Sequence, residues 1–269
     1  MLGWYIFAYA VLLVLKNVFS AIRVFWAPVF LSFAVFFLCL HLSGLGEAYL
    51  SGIGEVFGWG EKIVVPDAAI LKFFFPWFFV LIVVNAILTA WGVTAWHRYI
   101  LLGEFSYGLI PPLNIARIGG YILRAFLLGA ITLVLFLPFI LVYFGAFEIF
   151  AQFGLLFGIL AALVAAVVFS MVVFRWSLIL PAYAIGNPIT LGESWRAWSN
   201  IPKPNRAIIG LIIANSVTQS FLGIAIEKLA HMPAYQAIFA ISAQVFVFVL
   251  NITILTTLYG YVVENRRLS

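Results

Sequence analysis

The chain has 269 residues, of which 66% are hydrophobic and only 9% are charged, and its mean hydropathy is +1.19. Soluble domains carry about 25% charged residues, so a water-soluble fold could not hide this much apolar surface. The formal net charge is +5, but the basic residues lie at the ends of apolar segments rather than in a stripe on a soluble scaffold, which argues against nucleic-acid binding. We therefore predict a single all-α domain, residues 1–269, of a polytopic membrane protein.

Six apolar segments are long enough to cross a membrane as helices, which requires about 20 residues. They cover residues 24–42, 68–95, 118–144, 150–174, 207–226 and 234–262. A further apolar run at 3–19 contains Lys16 and Asn17 near its end and is too short to span. For this run we predict an amphipathic or half-inserted helix at the membrane surface. The alternative is an extension of the first span.

The basic residues predict the orientation of these spans. If the two termini, residues 98–124 and residues 175–206 share one side, that side holds 11 of the 14 lysines and arginines. Lysine and arginine are enriched in cytoplasmic segments. We therefore predict six transmembrane helices with both termini in the cytoplasm.

A short helix is predicted near residues 190–199, between the fourth and fifth spans. Thr190 and Glu193 have the spacing of a capping box, in which each side chain bonds the other residue's backbone. Trp195 and Trp198 then fall on one face. We expect this helix to lie in the membrane interface with both tryptophans among the lipid headgroups.

The residues before and within this helix resemble a known pattern. The run R-W-S-L-I-L-P starts at Arg175 and ends at Pro181, where we expect the chain to break, and E-S-W follows at 193–195. It resembles the motif of YciC-like bacterial inner-membrane proteins and of the membrane domain fused to some glycerophosphodiester phosphodiesterases. A second segment, W-H-R-Y…G-E from Trp96, is similar to a repeated feature of proteobacterial proteins of unknown function. The resemblance implies a multi-pass protein of the bacterial inner membrane and no hydrolase activity, because the catalytic barrel is absent from the sequence.

Charged residues near the predicted cytoplasmic ends of the spans form a candidate site for an anionic headgroup or phosphate. Guanidinium groups match the oxygens of such anions. The alternative is that these residues anchor the spans and form salt bridges between helices. The candidate residues are Arg98, Glu104, Arg175, Glu193 and Arg196.

Amide side chains within the spans form a second candidate site. Asn85, Asn215, Gln219 and Asn251 could line a polar path through the membrane. Such residues more often form hydrogen bonds between helices. A water-filled cavity that meets all four would favour a transporter or channel.

The fourth span carries Gly154 and Gly158, four residues apart, followed by several alanines. Small residues at this spacing let two helix backbones approach closely. We predict a helix-packing face here, and the partners that we expect for the protein are membrane lipids, a membrane-protein partner or a second copy.

The sequence contains no recognisable motif for catalysis, a metal or a cofactor. There is no Gly-x-Ser-x-Gly, no phosphate-binding loop and no His-Glu-x-x-His. The leading hypothesis is therefore a non-enzymatic membrane protein that interacts with lipid or with a membrane complex. The alternative is a transporter or channel for a small or amphipathic molecule.

Overall fold

The computed structural model describes residues 2–47, 49, 68–104, 110–145 and 155–268, and no strand occurs in these ranges. In chain order the main helices are α1 (Leu2–Lys16), α2 (Val18–Leu42), α3 (Ala68–Leu102), α4 (Ile115–Gly145), α5 (Leu155–Trp176), α6 (Ile179–Ile185), α7 (Leu191–Ser199), α8 (Pro204–Lys228) and α9 (Pro233–Val262). Six segments are long and apolar enough to cross a membrane: α2, α3, α4, α8, α9 and the run from α5 into α6. The predicted class, an all-α polytopic membrane protein with six spans, is confirmed.

The spanning helices extend further than the apolar runs in the sequence. Helix α2 begins at Val18 rather than at residue 24, and α3 continues to Leu102 rather than ending at residue 95. Arg23 and Arg98 lie inside these extensions. Long basic side chains can keep their charge at the interface while their stem follows the helix, so a charge does not end a helix. Residues 150–154 of the predicted fourth span lie outside the described residues.

The predicted short N-terminal helix is present as α1, and it packs against α8 and α9. Its inner face includes Gly3 and the fully buried Ile6. A Cβ atom on Gly3 would come within 2.7 Å of the backbone nitrogen of Leu211, so only glycine permits this approach. The outer face is apolar as well, with Leu12 51% exposed, and a turn at Asn17 separates α1 from α2.

The chain breaks after α5 earlier than the sequence predicted. The helix ends at Trp176, and Ser177 forms a turn, whereas Pro181 lies inside the first turn of α6. Proline is tolerated there because the backbone N–H groups of a helix's first turn have no hydrogen-bond acceptor within the helix. Helix α6 ends at Ile185 and is followed by the C-cap residue Gly186, whose φ of +88° lets the Asn187 N–H reach back to the carbonyl of Ala182 at 3.0 Å.

Helix α7 confirms the predicted short helix and its capping box. The Thr190 hydroxyl accepts from the Glu193 N–H, and the Glu193 side chain accepts from the Thr190 N–H. The expectation that both tryptophans reach the headgroups is wrong for Trp198, which is 1% exposed and packs in the protein core. Trp195 is 37% exposed.

The core lies mainly at one end of the bundle. The Tyr5 hydroxyl donates to the carbonyl of Leu268 at 2.8 Å, so the two ends of the described chain meet. We call this end the terminal end. The described buried residues of α3 all lie at or beyond Ala90, and those of α9 at or beyond Ala243. Towards the other end, the described side chains of these two helices are exposed or half-buried, as lipid-facing residues would be.

Close helix contacts occur at glycines other than those predicted. Gly154 lies outside the described residues, and Gly158 lies in α5 at a position whose surroundings are not described, so packing by this pair stays a prediction. Gly120 of α4 faces the ring of Tyr183 in α6, and a Cβ there would lie 2.6 Å from the ring carbon Cε1. Helix α6 thereby fits closely against α4 at the terminal end.

Candidate functional site

The terminal end contains the charged residues predicted as one cluster, but they take part in two separate sets of contacts. Arg98, near the end of α3, donates from Nε to Glu104 Oε2 at 2.6 Å and pairs with the other carboxylate oxygen as well. Its Nη1 also donates to the carbonyl of Ala184 at 3.2 Å. Arg98 therefore ties the end of α3 to α6.

Arg175 belongs to the second set of contacts. Its guanidinium lies over the ring of Trp195, 4.3 Å from the centroid, and Nη2 donates to Asn205 Oδ1 at 2.7 Å. The Ser194 hydroxyl donates to the carbonyl of Arg175, and the rings of Trp176 and Trp195 are 6.0 Å apart. The two halves of the R-W-S and E-S-W pattern thus contact each other and hold α7 against the end of α5.

The side chains of Glu193 and Arg196 interact within α7 and its N-cap. The Glu193 carboxylate accepts from the N–H and hydroxyl of Thr190 at 2.7 and 2.8 Å. These bonds, with a smaller contribution from Arg196, lower the pKa of Glu193. Within the described residues, no hydrogen bond or ion pair joins Arg175, Glu193 or Arg196 to Arg98. Anion binding by the predicted cluster stays a prediction.

A buried polar network between α3 and α9 was not predicted from the sequence. The Trp96 indole donates to Thr253 Oγ1 at 2.9 Å, and His97 Nδ1 is 2.7 Å from Thr256 Oγ1. The Thr256 hydroxyl donates its hydrogen bond to a carbonyl of α9, so it can only accept from His97, and His97 Nδ1 is the donor. His97 Nε2 can then accept from the Tyr121 hydroxyl at 3.4 Å. His97 is fully buried. The sequence signal was the spacing of three between the two threonines, which puts both on one face of α9.

A cavity of about 270 Å³ lies beside Arg98, between the end of α3 and the start of α4. We call it the Arg98 cavity. Its lining includes Arg98, Glu104 and Arg117, and an apolar wall that contains Val24 and Ile118. Glu104 neutralises Arg98, whereas the guanidinium of the half-buried Arg117 has no ion pair or hydrogen bond among the described residues. Within the described residues, the cavity thus combines one unpaired cation with an apolar wall.

A second cavity, of about 310 Å³, lies under the C-terminal residues, and we call it the tail cavity. Its lining includes Tyr9, Arg266 and Arg267. Arg266 is held by the carbonyl of Leu101 at 2.6 Å and by Glu264 at 2.5 Å. Arg267 is exposed and has no ion pair in the described part of the chain. Each cavity therefore contains one arginine that is held by a hydrogen bond and an ion pair, and one arginine that has no ion pair among the described residues.

The four amides proposed as a polar path do not line either cavity. The half-buried Asn85 donates to the carbonyl of Leu81 in its own helix at 2.9 Å. Asn215 is half-buried, and its Oδ1 has no partner among the described residues. Gln219 and Asn251 are exposed on the outside of the bundle. A path through these residues stays a prediction.

The described residues contain no group of three histidine, cysteine or acidic side chains that could hold a metal ion. His41 and His231 are both exposed. His97 uses both ring nitrogens in contacts with other side chains.

The fold and these cavities define a class, a multi-pass helical membrane protein whose core and basic cavities lie at one end. Comparison of the chain with protein-family models, curated proteins and solved structures finds no match.

Proposed function

We propose that this protein is a non-enzymatic integral membrane protein that binds anionic lipid headgroups at the terminal end of its bundle. The observation that supports the proposal is the Arg98 cavity. There the Arg98–Glu104 pair is already neutral, and Arg117 offers a guanidinium that is unpaired among the described residues beside an apolar wall. A headgroup phosphate needs a guanidinium partner, and the glycerol and upper acyl region next to it need apolar surface.

The position of the cavity favours a lipid over a soluble anion. It lies where the spanning helices α3 and α4 end and begin, at Leu102 and Ile115. Headgroups occupy this depth in a bilayer. The tail cavity adds Arg267 at the same end of the bundle. Two basic cavities at one end suit binding to the leaflet with the greater share of anionic lipid.

We further propose that this end faces the cytoplasm of a bacterium and that the chain is inserted in the inner membrane. This proposal rests on the resemblance to YciC-like proteins and on the 11 of 14 basic residues assigned to the side of the termini. Cysteine accessibility mapping in whole cells tests the orientation. Labelling of a cysteine near either terminus by an impermeant reagent from outside would contradict it.

Lipid binding is tested by native mass spectrometry of the protein released from nanodiscs that contain phosphatidylglycerol and phosphatidylcholine. Arg117→Gln removes the unpaired charge of the Arg98 cavity, and Arg206→Gln removes an equal charge from the exposed start of α8 as a control. A lost charged hydrogen bond costs about 1.5–3 kcal/mol. We therefore expect Arg117→Gln to weaken phosphatidylglycerol binding about tenfold or more, and Arg206→Gln to leave it unchanged.

Equal retention of phosphatidylglycerol by the parent protein and Arg117→Gln would refute binding in the Arg98 cavity. A loss that is equal in both variants would show a general charge effect and refute the site as well. Arg267→Gln reports separately on the tail cavity, because Arg267 does not line the Arg98 cavity.

A further inference from the structure

Helix α9 presents two amide side chains to the outside of the bundle at the depth of the membrane centre. Gln244 and Asn251 are both exposed. The helix runs from Pro233 to Val262, and at 1.5 Å per residue each amide lies about 5 Å from its midpoint. The hydrocarbon core extends about 15 Å to either side of the centre. Both amides therefore project into the most apolar part of the bilayer.

These amides lack a hydrogen-bond partner among the described residues. In the part of the chain that the structure describes, neither Gln244 nor Asn251 forms a hydrogen bond. The nearby Ser242 shows the contrast, since its hydroxyl donates to the carbonyl of Ile238 in its own helix at 2.8 Å. A carboxamide carries both donors and acceptors, and lipid chains can satisfy neither. An outward amide at this depth therefore calls for a partner beyond the single chain.

The amides belong to a regular seam. Ile241, Gln244, Phe248 and Asn251 follow one another at spacings of three, four and three, which is the spacing of side chains that meet across a pair of supercoiled helices. Gln244 and Asn251 are exposed, and so is Ile241 at 59%. Phe248 is 40% exposed and also meets the ring of Phe25 in α2, with 5.8 Å between the centroids. We call these four residues the amide seam. Its two amides occupy equivalent positions one heptad apart.

We propose that the amide seam is the interface with a second copy of this chain. A carboxamide can donate to and accept from another carboxamide, so the seam is complementary to itself. Two copies inserted in the same orientation are related by a twofold axis along the membrane normal, which places each seam residue opposite its counterpart. Gln244 then pairs with the Gln244 of the second copy and Asn251 with its Asn251, as polar side chains do between membrane helices.

This interface is independent of the basic cavities. The amide seam lies near the membrane centre, whereas Arg98 and Arg267 lie at the terminal end. Loss of lipid binding in Arg117→Gln would leave the dimer intact, and loss of the dimer would leave both cavities in place.

Self-association is measured by energy transfer between donor-labelled and acceptor-labelled protein in liposomes over a range of protein-to-lipid ratios. The double variant Gln244→Leu, Asn251→Leu removes both amides from the seam. Gln219→Leu removes an exposed amide from the neighbouring α8 as a matched control. We expect the parent protein and Gln219→Leu to dimerise alike, and the double variant to dimerise at least tenfold more weakly.

Cross-linking locates the interface. Cys39 is the only cysteine, so Cys39→Ser provides a background free of thiols. Phe248→Cys, at the centre of the seam, should form a disulfide between copies, whereas Phe221→Cys, 74% exposed on α8, should not. The proposal is overturned if the parent protein is monomeric in liposomes, if the double variant dimerises as the parent does, or if both cysteines cross-link equally.

Discussion

Two adjacent glycines in α4 offer a sharp test of how the terminal end is packed. A Cβ on Gly120 would overlap the phenol of Tyr183 in α6, at 2.6 Å from Cε1 and closer still to the hydroxyl. A Cβ on Gly119 would meet no atom within 4 Å. The ring of Tyr183 is also fixed from its face by the Arg124 guanidinium, 3.7 Å from the centroid. It therefore cannot move aside without losing that contact.

The two substitutions should change the free energy of unfolding in opposite directions or by clearly different amounts. Glycine to alanine inside a helix gains about 0.5–1 kcal/mol where there is room, so Gly119→Ala should stabilise the protein. At Gly120 the overlap should cost about 1–3 kcal/mol, and displacement of the Tyr183 ring forfeits a cation–π contact of about 0.5–1 kcal/mol. We expect Gly120→Ala to be less stable than Gly119→Ala by about 2 kcal/mol or more.

The assay is reversible unfolding in mixed micelles, followed by circular dichroism as the denaturing detergent is increased. Because the two positions are neighbours in one helix, differences in insertion and expression largely cancel. Equal midpoints for the two variants would refute the close contact of α4 with α6. A midpoint higher for Gly120→Ala would do so more strongly.

Four other substitutions test contacts elsewhere, each by the same unfolding assay. Thr256→Val removes the acceptor of the buried His97 and should cost about 1–3 kcal/mol; no change would mean that the network does not stabilise the fold. Gly3→Ala should separate α1 from α8 and destabilise the protein, whereas an unchanged midpoint would contradict that contact. Thr190→Ala should cost about 1 kcal/mol through the lost cap. Since the pKa of Glu193 is lowered in the folded protein, the stability that this carboxylate contributes is fully present above the ordinary pKa of a glutamate and lost as the pH falls through the lowered value. A Glu193→Gln variant should therefore be less stable than the parent at neutral pH and converge with it in acid, and a constant difference across that range would contradict the role of the cap.

Local signals in the sequence predicted much of the fold. Hydropathy marked the six spans because a spanning helix needs about 20 apolar residues in succession. The capping box at Thr190 and Glu193 was readable because its partners are three residues apart. The contact of Arg98 with Glu104 is also local, since the two residues are six positions apart. They had been grouped in one candidate site.

The rotation of each helix could not be read from the sequence. In a membrane protein the faces towards lipid and towards protein are both apolar, so the hydrophobic pattern does not distinguish them. Trp198 was therefore expected among the headgroups and is buried. Gln219 and Asn251 were considered as part of an internal path and are exposed on the outside.

Contacts between residues far apart in the chain were also missed. The pairing of Trp96 with Thr253 joins residues 157 positions apart, and the Arg98 cavity gains Arg117 only because α4 starts beside the end of α3. Tertiary packing creates these sites. The spacing of Thr253 and Thr256 places both on one face of α9, but no local pattern identifies Trp96 and His97 as their partners. The short pattern that starts at Arg175 is visible in the sequence. The contact of Arg175 with Trp195 could not be predicted, because it depends on how α7 folds back against α5.

The proposed function requires that Arg117 and its apolar wall bind an anionic headgroup in the Arg98 cavity. The most direct measurement is an electron cryomicroscopy structure in nanodiscs of phosphatidylglycerol and phosphatidylcholine. We expect lipid phosphate density in the Arg98 cavity, about 2.7–2.9 Å from the Arg117 guanidinium nitrogens, and its loss in Arg117→Gln. Phosphate density spread evenly around the bundle, with none in contact with Arg117, would contradict it.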